Sequence, residues 1–344
     1  MIKILLDAFG GDNAPSATIE GAVAALNKDK DIKLLLTGKQ DTIEKELAKY
    51  RYDEQRVEII NLPDVIAMDD IATEAIKRRQ SSLAGAYWKL KNEDDISAFV
   101  TAGSTGAAIA GGQLILGRIR GVKRAALCPA IPNIRGGVTL LCDCGANAEC
   151  KPVMLCQFAL LASAYAKVGF GIENPKVGLL NNGTEAHKGD TLRLETFKYL
   201  SKMNGINFIG NVEGRDIMLG ECDVVVADGF SGNIALKSME GCGKLALGLL
   251  KEEIKSGVRA KIGYVFMKKA LKNLYARIDF DKYGGALLLG LKKVVVKSHG
   301  SSKASAIANS IAQAAAICRG GLVPQIEKSL AGENWDEIID GDGQ

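Results

Sequence analysis

The stretch "LLDAFGGDNAPSATIEGAVAAL", residues 5–26, decides the fold class. It continues the apolar run "IKILLD", which has strand length, and beyond Pro15 the residues Ile19, Val23 and Leu26 recur at helical spacing. Asp7, Gly10, Gly11 and Asp12 therefore occupy a strand-to-helix turn. Pro15 stands in or just before the first helical turn, and Ser16 and Thr18 are able to cap it. Free N–H groups at such a helix start face an anion. A tight βα turn accounts for the same glycines, because the G-x-G-x-x-G spacing is absent. From this loop alone both readings stand.

The alternation recurs at "IKLLLTG", "RVEIIN", "ISAFVTAG", "GVTLLCDCG", "KVGLLNNG", "INFIGNV" and "DVVVADGF". Each run abuts Gly, Asn, Asp or Ser, and helical periodicity follows most of them. Strands apolar on both faces and separated by helices predict an α/β fold: a largely parallel sheet with helices on both faces. Ligands in such sheets collect at the carboxyl ends of the strands, where these Gly/Asp/Asn-rich loops fall. From Gly232 to about Phe280 the pattern changes to two long helices around the hinge "KSGVRAK". The expected organisation is one α/β catalytic domain over 1–335, a helical hairpin over 236–280 protruding from it, and an acidic tail over 336–344. "GGALLLGLKKVVVKSHGSS" adds a further strand or two, and "ASAIANSIAQAAAIC" reads as a final helix.

Composition narrows the function classes. With 344 residues, 47% hydrophobic and 24% charged, the chain can bury a sizeable core. A net charge of +4, with no basic run interleaved with aromatics, argues against nucleic acid as a partner. The sequence starts directly on a strand-like run rather than a signal peptide. No stretch reaches about 18 uncharged apolar residues, the length of a spanning helix. Eight cysteines in such a chain fit reduced thiols, so a cytoplasmic location is expected.

Five further loops carry chemistry. "FVTAGSTGAAIAGG" sets Thr101, Ser104, Thr105 and Gly106 where a strand turns into a small-residue helix, suited to phosphate or a carbonyl oxygen. "LLCDCGANAECKP" puts Asp143 and Asn147 after a buried-looking strand; Asp143 is either a helix-start cap or a functional acid. The cysteines there lack C-x-x-C spacing and a neighbouring His, so no metal site is expected. Cys144 with a distant His187 or His299 would make a thiol nucleophile, although a buried structural cysteine is the commoner case. "LLNNGTEAHKGD" offers Asn182, Gly183, Glu185 and Lys188. "VVADGFSGNIALK" offers Asp228, Gly229, Ser231, Asn233 and Lys237, and "VKSHGSS" adds His299 with Ser301 and Ser302. Together with the first loop, these donors and glycines look like a site for an oxyanion.

The hairpin carries a separate message. Residues 251–277 hold eight Lys/Arg against two Glu, a local +6 that exceeds the charge of the whole chain. Val258, Ile262, Val265, Phe266 and Met267 lie near its tip beside Lys268 and Lys269. A basic amphipathic tip suits an anionic membrane surface or an acidic protein, and a dimerising bundle with solvated lysines is the alternative.

The motifs "LLDAFGGDNAP", "TAGSTGA", "LLCDCGAN", "LLNNGTEAHKG", "GNVEGRDI", "DVVVADGFSGN", "YGGALLLG" and "VKSHGSS", in this order, resemble the bacterial phosphate acyltransferases. That family converts acyl-(acyl carrier protein) and orthophosphate into acyl phosphate for phospholipid synthesis. The resemblance implies a fold like that of the isocitrate and isopropylmalate dehydrogenases, a homodimer, peripheral membrane association through the hairpin, and no cofactor. It carries over Asp7, Gly10, Gly11, Asp12, Gly103, Thr105, Gly106, Asp143, Gly145, Asn147, Asn181, Gly183, Glu185, Lys188, Gly189, Asp228, Gly229, Gly232, Asn233, His299 and Gly300. Ser104 and Cys144 depart from the family pattern, and the second departure argues against a catalytic thiol. The expected chemistry is direct attack of phosphate on a thioester. In it Ser104, Thr105 and Lys188 hold phosphate, Asn147 or Asn182 stabilises the oxyanion, and Asp143 or His299 manages the proton. The rival readings are a short-chain phosphate acetyl- or butyryltransferase using coenzyme A, a metal- and nicotinamide-dependent decarboxylating dehydrogenase, and a non-enzymatic membrane scaffold.

Overall fold

The computed structural model describes residues 1–278 and 280–335; the expected acidic tail lies outside the described residues. Twelve strands are present among these: β1 Ile2–Asp7, β2 Ile32–Gly38, β3 Val57–Asn61, β4 Ile96–Thr101, β5 Ala126–Cys128, β6 Ala130–Pro132, β7 Val138–Cys142, β8 Lys176–Leu180, β9 Asn207–Val212, β10 Val224–Val226, β11 Ala286–Leu289 and β12 Val294–Lys297. The helices are α1 Ser16–Lys28, α2 Gln40–Leu47, α3 Ala72–Ala75, α4 Ser82–Asn92, α5 Thr105–Gly111, α6 Pro152–Phe170, α7 Thr191–Leu200, α8 Asp216–Leu219, α9 Gly229–Lys255, α10 Val258–Ile278, α11 Ala304–Arg319 and α12 Leu322–Ala331.

The strands form two sheets, not one. The first has the order β3-β2-β1-β4-β12-β11-β5 and the second β6-β7-β10-β8-β9. Pairing is parallel except at β11, which runs antiparallel to both neighbours, and at β6, antiparallel to β7. The foreseen strands all form. The three-residue β5 and β6, split by Pro129, are too short to show a period, so no sequence pattern announced them or the edge they create. Pro132 sits on the edge strand of its sheet, where a missing N–H does least harm.

Burial on both faces explains why the strands read as continuous apolar runs. Ile4 and Leu6 enter one core cluster and Leu5 another, on opposite faces of β1, and all three are fully buried. The larger cluster includes residues of both sheets together with α6. α6 is long and apolar enough to cross a membrane by composition, yet it packs inside the core against β7, β10, α7, α11 and α12. Pro152 opens it, and Gly171 at φ +67° closes it in the left-handed conformation that glycine tolerates.

α9 and α10 follow one another across Ser256 and Gly257 and touch each other. They contribute little to the core: among their described residues only Gly229, Gly232 and Leu271 are buried. Phe266 is 84% exposed and Val258, Ile262 and Val265 are exposed with it.

α1 and α11 lie against each other, and each follows one of the glycine loops. They cross at Gly21, where an added Cβ would come within 2.6 Å of the Ala304 carbonyl and 2.7 Å of Ile307 Cβ. Gly21→Ala is expected to destabilise the chain by about 1–3 kcal/mol through overpacking, despite the better helix propensity of alanine. A lowered urea midpoint checks this; an unchanged or raised midpoint contradicts the close crossing.

Candidate active site

Four polar side chains stand in one row across adjacent strands at the carboxyl ends of the first sheet. Asp7 of β1 is in register with Thr37 of β2, the Leu6–Val100 pairing precedes Asp7 and Thr101, and Thr101 of β4 pairs with Lys297 of β12. All four are buried, with exposures of 1% for Asp7, 0% for Thr37 and Thr101, and 6% for Lys297. Thr101 Oγ1 donates to Asp7 Oδ2 at 2.8 Å and accepts from the Gly103 N–H at 2.9 Å. Phe9 N donates to Asp7 Oδ1 at 3.2 Å. Burial pushes the Asp7 carboxyl up, against the hydrogen bonds from Ser82, Thr101 and Phe9 and the charge of Lys297.

Glycine lets three loops close over this row. A Cβ on Gly10 would lie 2.6 Å from both Asp7 Oδ2 and Gly103 N. Gly11, at φ +96°, would press a Cβ to 2.8 Å from the Gly300 carbonyl. Asp12 N donates to that carbonyl at 2.8 Å, and Asn13 Nδ2 donates to the carbonyls of Ser301 and Ser302. The loops at 7–13, 101–105 and 298–302 therefore form one group. Ser104 is buried as the cap of α5, its Oγ accepting from Ala107 N at 3.4 Å, while Thr105 and Gly106 are exposed. His299 is exposed, with Nδ1 2.8 Å from Ser301 Oγ and accepting from Ser301 N at 3.2 Å. The expected capping by Ser16 and Thr18 does not occur. Pro15 takes the cap position without a side-chain bond, and the Thr18 hydroxyl faces the Ala8 carbonyl at 2.6 Å and the Pro15 carbonyl at 2.7 Å.

The second sheet gathers the remaining loops. Asp143 is fully buried and accepts from Leu127 N, Ala146 N, Asn147 N and Asn147 Nδ2 at 2.8–3.1 Å. Burial still pushes its carboxyl above the usual range, opposed by these donors. Asn147 Nδ2 also donates to the Ala125 carbonyl at 2.8 Å. Both residues are thus committed to building the loop. The side-chain hydrogen bonds found at Asp143 and Asn147 run within this loop and to Ala125 and Leu127.

Around them, Gly229 N donates to the Asn147 carbonyl at 2.7 Å, and a Cβ on Gly232 would fall 1.9 Å from the Asp143 carbonyl. Asp228 caps α9, accepting from Ser231 N at 2.9 Å. Arg193 pairs with Asp228 and donates to Ser231 Oγ at 2.9 Å and to Asp190 at 3.0 Å. Burial alone would raise Asp228; the Ser231 N–H and the Arg193 charge hold it below the ordinary carboxylate range. Gly145 lies against Asn233. Gly183 lies between the Glu185 carboxylate and the stem of Lys188, and Asn181 Nδ2 donates to the Lys188 carbonyl at 3.0 Å. Asn182, Glu185, Lys188 and Asn233 are exposed.

Among the described residues no hydrogen bond or ion pair joins Lys188 to the first-sheet loops. Lys237 of α9 acts electrostatically on Cys144 beside the second group and on Lys297 beside the first. Cys144 is buried, its thiol facing the Leu141 carbonyl, and burial pushes it well above the usual thiol range. A thiolate nucleophile there is disfavoured. Among the described residues no three His, Cys, Asp or Glu side chains are placed to hold a metal ion. Sequence reasoning missed two residues. Arg193 lies within α7, outside every glycine motif. Lys297 carried one usable signal, a lone charge ending the apolar run "VVVK".

The nest around Asp143 makes a direct prediction. Asp143→Asn places amide hydrogens against backbone donors and is expected to cost about 3 kcal/mol. A lowered urea midpoint checks this, and wild-type stability would contradict the buried four-donor geometry.

Comparison with known proteins fits this arrangement. A family model described as fatty acid synthesis protein matches residues 2–324. The phosphate acyltransferase of Clostridioides difficile (strain 630) is 41% identical over 333 residues, covering 97% of each chain. That of Alkaliphilus oremlandii (strain OhILAs) is 43% identical over 337 residues, covering 98% of this chain and all of the relative. Among solved structures, a phosphotransacetylase from Streptococcus pyogenes aligns with a TM-score of 0.64 at 18% identity, over 92% of this chain and 94% of the other. The EutD phosphotransacetylase from Staphylococcus aureus aligns at 0.59 and 16% identity, over 93% and 94%. These two share the fold. Identity above 40% across almost the full length of both chains makes this chain a member of the phosphate acyltransferase family.

Proposed function

We propose that the chain transfers the acyl group of a long-chain acyl-(acyl carrier protein) to orthophosphate, giving acyl phosphate and free carrier protein for phospholipid synthesis. The observation that carries this reading is the presence of two loop groups at strand carboxyl ends, one on each sheet, built from glycines, hydroxyls and amides. Such a site offers donors to two substrates at once, phosphate and the thioester carbonyl. The two mostly parallel sheets are consistent with the kinship to isocitrate and isopropylmalate dehydrogenases that the resemblance implies. We treat 1–335 as one catalytic unit, with 236–280 as its protruding hairpin.

In this mechanism an oxygen of hydrogen phosphate attacks the thioester carbon and the C–S bond breaks. The phosphate proton passes to the departing thiolate. No covalent enzyme intermediate is needed, so the protein contributes position and charge. The backbone N–H groups of Gly11 and Gly106, with Thr105 and the helix start at Ser104, receive phosphate. Asn182 and Lys188, both exposed beside Gly183, face the thioester and its oxyanion; Lys188 moves here from the phosphate-holding role its motif suggests, because no hydrogen bond or ion pair joins it to the first-sheet loops among the described residues. His299 has Nδ1 held by Ser301, leaving Nε2 to carry the proton. Asp143, Asn147, Asp228 and Asn233 act by positioning, since they shape the loops that present these groups.

The basic, apolar α9–α10 pair supports two further parts of the reading. Acyl carrier proteins are acidic, so the lysines favour fast, salt-sensitive docking. Phe266, Val265, Ile262 and Val258 are exposed beside Lys268 and Lys269, the pattern of a segment that lies on an anionic bilayer surface. Phe230, Ile234, Leu245 and Leu249 are exposed along α9, which supports a homodimer packed through the bases of these helices. Eight cysteines outside any disulfide favour a cytoplasmic enzyme touching the membrane from that side.

The reading is tested by phosphate-dependent formation of acyl phosphate from long-chain acyl-(acyl carrier protein), with acyl-coenzyme A as parallel donor and metal both present and chelated. Turnover with the carrier-protein donor, indifferent to metal, is expected; turnover only with short-chain coenzyme A thioesters would favour the acetyl- or butyryltransferase alternative. Lys188→Ala should lower turnover about tenfold or more, with the urea midpoint retained; unchanged kinetics would remove Lys188 from the site. Replacing Phe266, Lys268 and Lys269 together by Ser should weaken binding to vesicles containing anionic lipid while leaving activity on soluble substrate. Vesicle binding equal to wild type would count against the membrane role.

A further inference from the structure

Lys297 ends β12, a strand whose four residues are all buried. Its Nζ donates to the carbonyl of Ser298 and, at 3.5 Å, to that of Ala102, one acceptor from each of two site loops. Among the described residues no carboxylate forms an ion pair with it. An ammonium has three hydrogens, and two neutral carbonyls replace little of the hydration a buried cation loses. Asp7 and Asp12 act on it favourably from a distance and Lys237 unfavourably; burial dominates and pulls its pKa down to about 8. In the same loop, the buried hydroxyl of Ser302 has no hydrogen-bond partner. A cation this poorly compensated is destabilising unless an anion completes it.

We infer that Lys297 is the cation that holds orthophosphate, at the junction of the 7–13, 101–105 and 298–302 loops and in the same row as Asp7 and Thr101. This rests on the acyl transfer proposed above and divides the labour within it. Phosphate is bound over the first sheet by Lys297 and the glycine N–H groups, while the exposed Lys188 serves the thioester over the second. The buried position suits a small oxyanion: the ammonium meets it already stripped of water, where a charge-assisted hydrogen bond is strongest. Asp7, tied to Thr101, stays one strand further away and fixes the row without neutralising the amine.

Lys297→Met and Lys297→Arg test the assignment in the full-length chain. The Lys297→Met protein should raise the KM for phosphate about tenfold to a hundredfold with the KM for the acyl donor unchanged. Its melting temperature should be no lower than wild type, because an unpaired buried charge is removed. Orthophosphate, against potassium chloride at matched ionic strength, should raise the melting temperature of wild type but not that of Lys297→Met. In wild type, kcat/KM for phosphate should fall above about pH 8 as Lys297 loses its proton. In Lys297→Arg that fall should vanish, since guanidinium stays charged; the ionisation of phosphate itself is common to both proteins. A wild-type phosphate KM and phosphate-induced melting shift in Lys297→Met would overturn the inference. If that variant fails to fold, a break near pH 8 retained in Lys297→Arg would do the same. Wild type forming no acyl phosphate from any thioester would sink the acyl-transfer reading instead, while the melting shifts would still report on Lys297.

Discussion

The hydrogen bond from Thr101 to Asp7 ties the carboxyl ends of two neighbouring parallel strands inside the first sheet, and much of the site follows from it. It fixes where the first glycine loop leaves β1 and where the second leaves β4. Gly10 is then required, because any side chain there would collide with the bonded carboxylate and with Gly103. Asp143 plays the corresponding part in the second sheet. Its four donors draw Leu127 on β5, the turn at Ala146 and Asn147, and through Asn147 the start of α9 around one buried carboxylate. Each sheet thus holds its loops by a buried acid near the end of a strand, and each acid is held by hydrogen bonds rather than exposed to a substrate.

This arrangement underlies the proposal that the chemistry comes from groups other than the buried acids. A carboxylate saturated by donors is a scaffold; moving its proton would disrupt the loop it organises. The groups we propose for the substrates are exposed or under-compensated ones: backbone N–H groups at glycine turns, Thr105, Asn182, Lys188, His299 and Lys297. They are donors almost without exception, as an attacking dianion and a tetrahedral oxyanion require. The two long helices that follow Asp228 extend from the same framework. Gly232 allows α9 to start against the Asp143 carbonyl, so a glycine in the site also sets where the basic apolar segment begins.

Much of the fold was legible because its strands are buried on both faces. Runs such as "IKILLD" and "IKLLLTG" match β1 and β2 to the residue, and the glycine loops fell where expected. The division into two sheets was not legible. It depends on β5 and β6, three residues each around Pro129, and on the antiparallel turn of β11, which have no periodicity to read. In the site, loop membership was readable from residue types, while the direction of each side chain was not. Asp143 and Asn147 have the composition of catalytic groups and the contacts of structural ones. Lys297 has the reverse history, reading as the end of an apolar strand until the register places it beside Thr101.

Direct transfer requires the two loop groups to hold phosphate and thioester together, so that one attacks the other. Initial rates over a matrix of phosphate and acyl-(acyl carrier protein) concentrations test it most directly. Intersecting double-reciprocal lines are expected, the mark of both substrates bound before any product leaves. Parallel lines, with carrier-protein thiol released in the absence of phosphate, would reveal an acyl-enzyme and contradict it.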